Sequence, residues 1–596
     1  MARQAYVLGI ARQSLRRCVV PALLLLGTSR VLAAQTLSAD DPPTRVARVS
    51  DLAGTVSLQA SGDSGWSVAT LNYSMTTGDR LFTDAGSRAE LEVGPFSARI
   101  ADSTDLTITN LTDHLAQLGV AQGTLRLSVY RLAADDSVEI DTPNGALIVR
   151  APGHYRVVVP ANADYTLLTV DDGAVDTYGP GLAQTVRGPQ TVRLSGTNPI
   201  DIATVPPLRN SAFDTWSTDR DAQLASADCG RYMSADIPGC ADLHHYGRWT
   251  NTAEYGIVWY PPPGIQGWAP YRFGHWVWVE PWGWVWVDDE PWGFAPFHYG
   301  RWALIGAAWA WVPGPIAAPC YSPALVVFAG GGGIGVGIQA WFPLGPRDPY
   351  IPWYHYGPRY LRRVNSANVR GVRDIDGFVR VTDVSRIRYA HRVDGFTAVS
   401  SENFRDGHRV DGSVMRVGAP EIDRAQAQSH PAVMPTGRAA SGGAPAPRPP
   451  AVRRPPMIQG APTVRTAHPT PTPARGAERR PPITKAAPPP VTRAAPPPPG
   501  RAAPPSAGQT RRAIPRPIIT KRAPPPPNPP FNDRAKAMQA NPGRPLNPQQ
   551  MEKVRQAKPA KASPAKGPPG KGGPPPKKKG GGGGDRDPAY VEPVAV

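Results

Sequence analysis

The chain has 596 residues, including 73 Pro and 60 Gly, too many for one compact fold throughout, and a formal net charge of +18. That charge has unlike parts: five Arg and no acid in residues 1–34, 29 Lys+Arg against 6 Asp+Glu from Pro431 onward, and a net −10 between them. A mildly acidic body with a strongly basic tail suits anionic polymers or anionic surfaces, and an export signal argues against nucleic acid as the partner.

That signal is read at residues 1–34. Arg3, Arg12, Arg16 and Arg17 precede an apolar run from Cys18 to Leu26, and Val31-Leu-Ala33 or Leu32-Ala-Ala34 offers a small-residue cleavage step. The run is shorter than the roughly 20 residues a membrane span needs, so no stable span is expected; a retained anchor is the alternative. The expected location is the periplasm, or the cell envelope and its surface. In such an oxidising compartment Cys229 and Cys240 are close enough to form a disulfide, leaving Cys320 over. Their spacing fits no common zinc pattern, and neither metal nor cofactor is expected.

Residues 46–195 read as an antiparallel β-domain. Arg88–Val93, Asp105–Thr109, Thr124–Val129 and Ser137–Ile140 alternate apolar and polar residues, with turn residues such as Gly78-Asp79 and Asn144-Gly145 between them. Gly78-Asp79 is a turn rather than a catalytic acid. Residues 196–243 read as a linker with a helix near Phe213 to Leu224, which Phe213, Trp216 and Arg220 would dock on the following domain; a partly ordered linker is the alternative.

From residue 244 to 345 the chain is Trp-rich: twelve of its sixteen Trp lie between His244 and Gly314. Tyr246-Gly-Arg-Trp249 recurs as Phe273-Gly-His-Trp276 and Tyr299-Gly-Arg-Trp302, which predicts one β-hairpin per repeat. Alternate Trp fall on one strand face, giving a ladder of indoles. The ladder has two readings. As a core, the large aromatics supply buried area that few aliphatic residues provide. As a platform, Trp259, Trp276, Trp278, Trp282, Trp284 and Trp286 would stack on sugar rings. Asp288-Asp289-Glu290 is read as a solvated turn ahead of a cation site. His245 and His298 recur before Tyr-Gly-Arg-Trp and read as structural; with His244, His275 and His355 they are the residues a metal assay would address. The uncharged Ala324–Phe342 run contains four consecutive Gly between flanking prolines, and reads as Gly-rich strands rather than a membrane helix. Residues 346–428 continue this module or form a small appendage.

From 429 to 596 the chain reads as a disordered, basic, Pro-rich tail. Ile483-Thr-Lys-Ala-Ala-Pro-Pro-Pro490 is echoed by Val491-Thr-Arg-Ala-Ala-Pro-Pro-Pro-Pro499 and Ile519-Thr-Lys-Arg-Ala-Pro-Pro-Pro-Pro527. One short helix is expected after Asn547 as N-cap and Pro548.

Two stretches resemble known families. Val49-x-x-Leu52-x-Gly54-x-Val56, Trp66, Thr77-Gly-Asp-Arg-Leu81-x-Thr83, Ser87-x-Ala89-x-Leu91, Gly123-Thr-Leu-Arg126 and Gly153-x-Tyr155-Arg156 resemble the FecR domain of bacterial envelope proteins over residues 46–180. That resemblance implies an extracytoplasmic β-domain; the signalling role of the strict family needs a membrane helix and a cytoplasmic segment not seen here. Trp276-x-Trp278, Trp282-Gly-Trp-Val-Trp286 and the later Ala329-Gly-Gly-Gly-Gly-Ile-Gly-Val resemble a Trp-rich, Gly-rich exported domain of unknown function over 246–369. The reading is therefore mainly β and non-enzymatic: an exported envelope protein that binds or scaffolds. Its tail would contact an anionic cell-wall polymer or polysaccharide, and envelope proteins through its Pro-rich stretches. A FecR-type sensing accessory is the alternative. A carbohydrate-active enzyme is disfavoured, since its two carboxylates should face each other across a cleft rather than share one turn.

Overall fold

The computed structural model describes residues 40–227, 229–263, 267–316, 319–331, 333–369, 377, 383–449, 456–459 and 516–557. The expected signal at 1–34, and the tail repeats beginning at Ile483 and Val491, lie outside them.

The first half is built around one long strand, Leu115–Val129, that belongs to two sheets. Its first residues pair with Asp105–Leu111, its last with Phe96–Ile100 and Gly153–Val159. It changes sheet at Gly123, which has φ +96° and lies against Thr104 too closely for any Cβ. One sheet continues outward through Tyr165–Val170 and Gln190–Ser195, the other through Ser137–Thr142, Gly145–Val149, Ala174–Gly179 and Leu182–Arg187. Pairing among these strands is antiparallel apart from Leu115–Gly119 on Ser137–Asp141, which run parallel. Leu91, Ile100, Leu106, Leu125, Leu127, Ile140 and Leu168 fill the space between the sheets, each 1% exposed or less. All four strand segments expected from alternation are strands. The domain does not end at 195, because Asp201–Val205 adds a further strand onto Gln190–Ser195. At the Gly78-Asp79 turn, the Asp79 carboxylate accepts from the Thr76 and Ser61 amides at 2.8 Å each.

Each Trp repeat forms a hairpin: Arg248–Thr252 with Gly256–Tyr260, Gly274–Val279 with Gly283–Asp288, and Arg301–Ile305 with Ala308–Val312. The first and third join into a four-stranded sheet through Trp259 opposite Trp311. The Gly-rich run folds as Val326–Gly330 and Ile338–Pro343, a fourth hairpin. Thr397–Ser400 and Gln426–Gln428 complete its sheet, so residues 397–428 are built into the module.

The expectation of disorder across 429–596 is corrected for its described parts. Met457–Gln459 and Ile518–Thr520 pair in parallel, and helices span Phe531–Met538 and Pro548–Gln556. Asn547 caps the second helix as expected, its Oδ1 accepting from the Gln550 amide at 2.8 Å. These pieces are held to the body: Arg534, 3% exposed, pairs with buried Glu280 at 2.6 Å and donates to the Ser61 carbonyl at 3.3 Å. Low-complexity composition hid them, because a few buried residues such as Ile518, Thr520 and Met538 are enough to dock a tail.

Candidate functional site: an aromatic interior and a charged seam

The Trp ladder is a core. Trp259, Trp276, Trp278, Trp282, Trp284 and Trp286 are all 2% exposed or less. Thirteen of the sixteen Trp are buried, and Trp216, Trp249 and Trp268 are half-buried. The platform reading fails for a definite reason: alternation predicts one wet face, yet Val277, Val285 and Val287 on the opposite face are also 1% exposed or less. Cross-strand indoles meet edge to face, Trp276 with Trp286 at 5.4 Å between centroids and Trp278 with Trp284 at 5.5 Å. Phe404 and Trp341 close over them from the Gly-rich sheet and its neighbouring helix.

The repeat glycines are explained by these indoles. Gly247 lies beneath Trp259; at Gly274 and Gly300 a Cβ would meet the Val287 and Val312 carbonyl oxygens at 2.3 and 2.4 Å, with Trp286 Cζ2 at 2.7 Å and Trp311 Nε1 at 2.6 Å behind them. Trp259 and Trp311 donate their indole N–H to the Leu243 and Tyr299 carbonyls at 2.8 Å each.

In the acidic turn Asp288 is buried, while Asp289 and Glu290 are half-buried. Asp288 is 2% exposed, accepts from Trp286 Nε1 at 3.0 Å, and burial pushes its carboxyl well above the usual range. Its carbonyl and that of Glu290 accept from Asn72 Nδ2 at 3.0 and 2.7 Å, so this turn plugs the aromatic module into the β-domain. Asp289 faces Arg409 at 2.9 Å.

The linker helix spans Ala212–Ser226 and is opened by a Ser211–Asp214 capping box. It docks on the preceding β-domain, a correction to the expected direction, and it does so by charge, its buried residues being Asp214 and Ser217. Arg99 pairs with Glu90 at 2.5 Å and Asp221 at 2.8 Å; Arg220 reaches Glu90 at 2.6 Å, and Asp214 takes Arg156 at 3.1 Å. Burial alone would raise the Glu90 carboxyl, but Arg99 and Arg220 hold it at about 2. Beside this network Arg48, 1% exposed, spans Glu92 at 3.3 Å, Asp242 at 2.5 Å and the Pro291 carbonyl at 2.7 Å. Each charge in this seam is desolvated and paired, which favours one fixed geometry over net stability. The signal in the sequence is Glu90-Leu-Glu92, two carboxylates on one strand face, both 4% exposed or less.

Cys229 and Cys240 are joined, 11 residues apart in sequence, and wall a cavity of about 300 Å³ with Glu92, Tyr130, Asp221 and Ile237. Cys320 is buried and free, and burial pushes its thiol up to about 12. The histidines do not converge. His298 is buried, hydrogen-bonded through Nδ1 to the Ser322 carbonyl at 2.8 Å, and held at about 3 by burial; its repeat equivalent His245 is exposed. Among the described residues the grouping close enough for a metal is the largely exposed His114, Asp135 and Asp136 rather than the repeat histidines.

Residues 240–348 match a family of unknown function, DUF6600. The match begins at Cys240 and covers all three Trp hairpins and the Gly-rich hairpin. No curated protein matches the chain. Two crystal structures of a candidate anti-sigma factor from Parabacteroides distasonis match at 13% and 14% identity, each with TM-score 0.19 and covering 21% of this chain. This chain spans 58% of that protein's length, and at that TM-score nothing is transferred. No helix among the described residues is long and apolar enough to cross a membrane.

Proposed function

We propose that the chain is an exported, non-enzymatic scaffold of the cell envelope whose basic tail contacts an anionic cell-wall polymer or polysaccharide. The carrying observation is the anchor of the tail: Arg534 is clamped to Glu280 of the aromatic module. Its neighbours in sequence are two basic blocks, nine Lys+Arg against one acid in 460–515 and eight against three in 558–596. A β-domain and a Trp core locked through a desolvated seam make a stiff body, and the blocks on either side of the anchor supply the charge that such a polymer attracts. The FecR resemblance of the first domain and the leader support the envelope setting. The test is co-sedimentation with purified cell wall, comparing the full chain with one in which the Lys and Arg of 460–515 and 558–596 are replaced by Gln. The full chain should bind at low salt and release near 1 M, where the screening length falls to about 3 Å. Equal binding by both chains would overturn the tail's role.

A sensing role for the β-domain is the second reading, favoured by the cavity of about 300 Å³ at the seam. It predicts that deleting the protein changes envelope-stress transcription; unchanged transcription would remove it.

A further inference from the structure

The docked tail segment is one copy of a motif that the tail contains three times, and the surface that holds it reads the shared residues. Ile518 and Ile519 are 1% and 4% exposed, Thr520 is 0%, and Ile519 lies opposite Thr142 at the end of Ser137–Thr142. Gln117 Nε2 donates to Thr520 Oγ1 at 2.9 Å and to the Arg522 carbonyl at 3.0 Å. Buried Glu139 accepts the Lys521 amide at 2.8 Å and the Arg522 amide at 3.2 Å. Lys521 Nζ sits 3.5 Å from the centre of the Tyr178 ring, and Pro524–Pro527 then run along a cleft of about 960 Å³. The site therefore takes a β-branched apolar residue, a Thr, a cation and a polyproline run, mostly through backbone amides and the Thr hydroxyl. Ile483-Thr484-Lys485 followed by Ala486, Ala487 and Pro488–Pro490 matches the docked segment from Ile519 onward, with Pro482 in the place of Ile518 and three prolines in the place of four.

We infer that the Glu139–Gln117 edge of the β-domain is a peptide-docking site for this tail motif, and that Ile483–Pro490 is an alternative occupant to Ile519–Pro527. Arg522, which the other copies replace with Ala, contributes its backbone and only a distant contact to Glu139 at 3.9 Å, so its loss leaves the reading intact. Exchange of copies would shift the register of the tail by 36 residues without altering the body. Because the copies are tethered, each competes at an effective concentration near the millimolar range, and a free peptide meets an occupied site.

The test uses the full chain and a labelled peptide with the sequence of Pro481–Pro490. Three chains are compared: the natural one, Thr520→Asp, and a triple variant with Thr484→Asp, Thr492→Asp and Thr520→Asp. The peptide should bind the triple variant roughly tenfold or more tighter than either of the others, because the tail refills the site in the single variant. Equal binding to single and triple variants would show that the other copies do not take the site. No binding to the triple variant, or equal binding of a scrambled peptide, would overturn the site itself. Should Asp at these positions unfold the domain, Thr→Val gives the same comparison, since it keeps shape and drops the hydroxyl bond to Gln117.

Discussion

The Trp259 indole lies flat against Gly247, so that a side chain at that position would occupy the space of the ring. Gly274 with Trp286 and Gly300 with Trp311 repeat the relationship, which is why an aromatic-Gly-x-Trp mark recurs through the module. Gly274→Ala should cost about 1–3 kcal/mol through overpacking against the Val287 carbonyl and Trp286. Gly300→Ala should cost more, because φ there is +65° as well. Thermal melts measure both; a Gly274→Ala chain as stable as the natural one would mean that close packing of Val287 and Trp286 is not what the glycine serves.

Much of this was legible. Periodicity and the repeat gave the hairpins, and the Gly and Pro around Ala324–Phe342 gave strands in place of a membrane helix. The burial of the Trp was not legible, since alternation along Trp276–Val279 fixes which residues share a face and not what covers either one. The linker helix was visible near Phe213, but its docking direction rests on Asp214 and Asp221 meeting Arg156 and Arg99, partners distant in sequence. The docked tail was hidden by composition averaged over many prolines.

Glu90→Gln removes one partner of a buried pair and leaves Arg99 with Asp221. Breaking such a pair costs about 3–5 kcal/mol. The Glu90 carboxyl titrates at about 2 in the folded chain, below its unfolded value near 4.3. Its contribution is therefore complete above about pH 4.3 and lost as pH falls through about 2. Urea titrations across that window should show a shallower acid limb in the Gln variant; an identical limb would remove Glu90 from the account.

His298 acts in a different window. Burial holds it at about 3, below the unfolded value near 6.5, so the unfolded chain takes up its proton first on acidification. Stability from this group is complete above about pH 6.5 and falls toward pH 3 by up to about 1.4 kcal/mol per unit. His298→Asn should be less stable at neutral pH and flatter between pH 6.5 and 4.5. An unchanged slope would contradict a neutral, buried imidazole.

The cysteines give a chemical check. Cys320 should resist iodoacetamide in the native chain, because burial holds the thiol at about 12, and should react once the chain is unfolded. Cys229 and Cys240 should be modified only after reduction, and reduction should cost about 2–3 kcal/mol through the freed loop. Mass mapping reads all three sites; native alkylation of Cys320 would contradict its burial.

The central claim is that the aromatic module is interior support and that contact with the envelope polymer is made by the basic tail. Its most direct test is Trp emission of the full chain, titrated with soluble cell-wall fragments while bound protein is counted. The account predicts binding that salt reverses, with a buried-indole emission maximum that does not move and quenching by acrylamide that stays low. A saturable emission shift, kept when the Lys and Arg of 460–515 and 558–596 are replaced by Gln and lost in Trp276→Ala, would contradict it and restore the Trp ladder as a ligand platform.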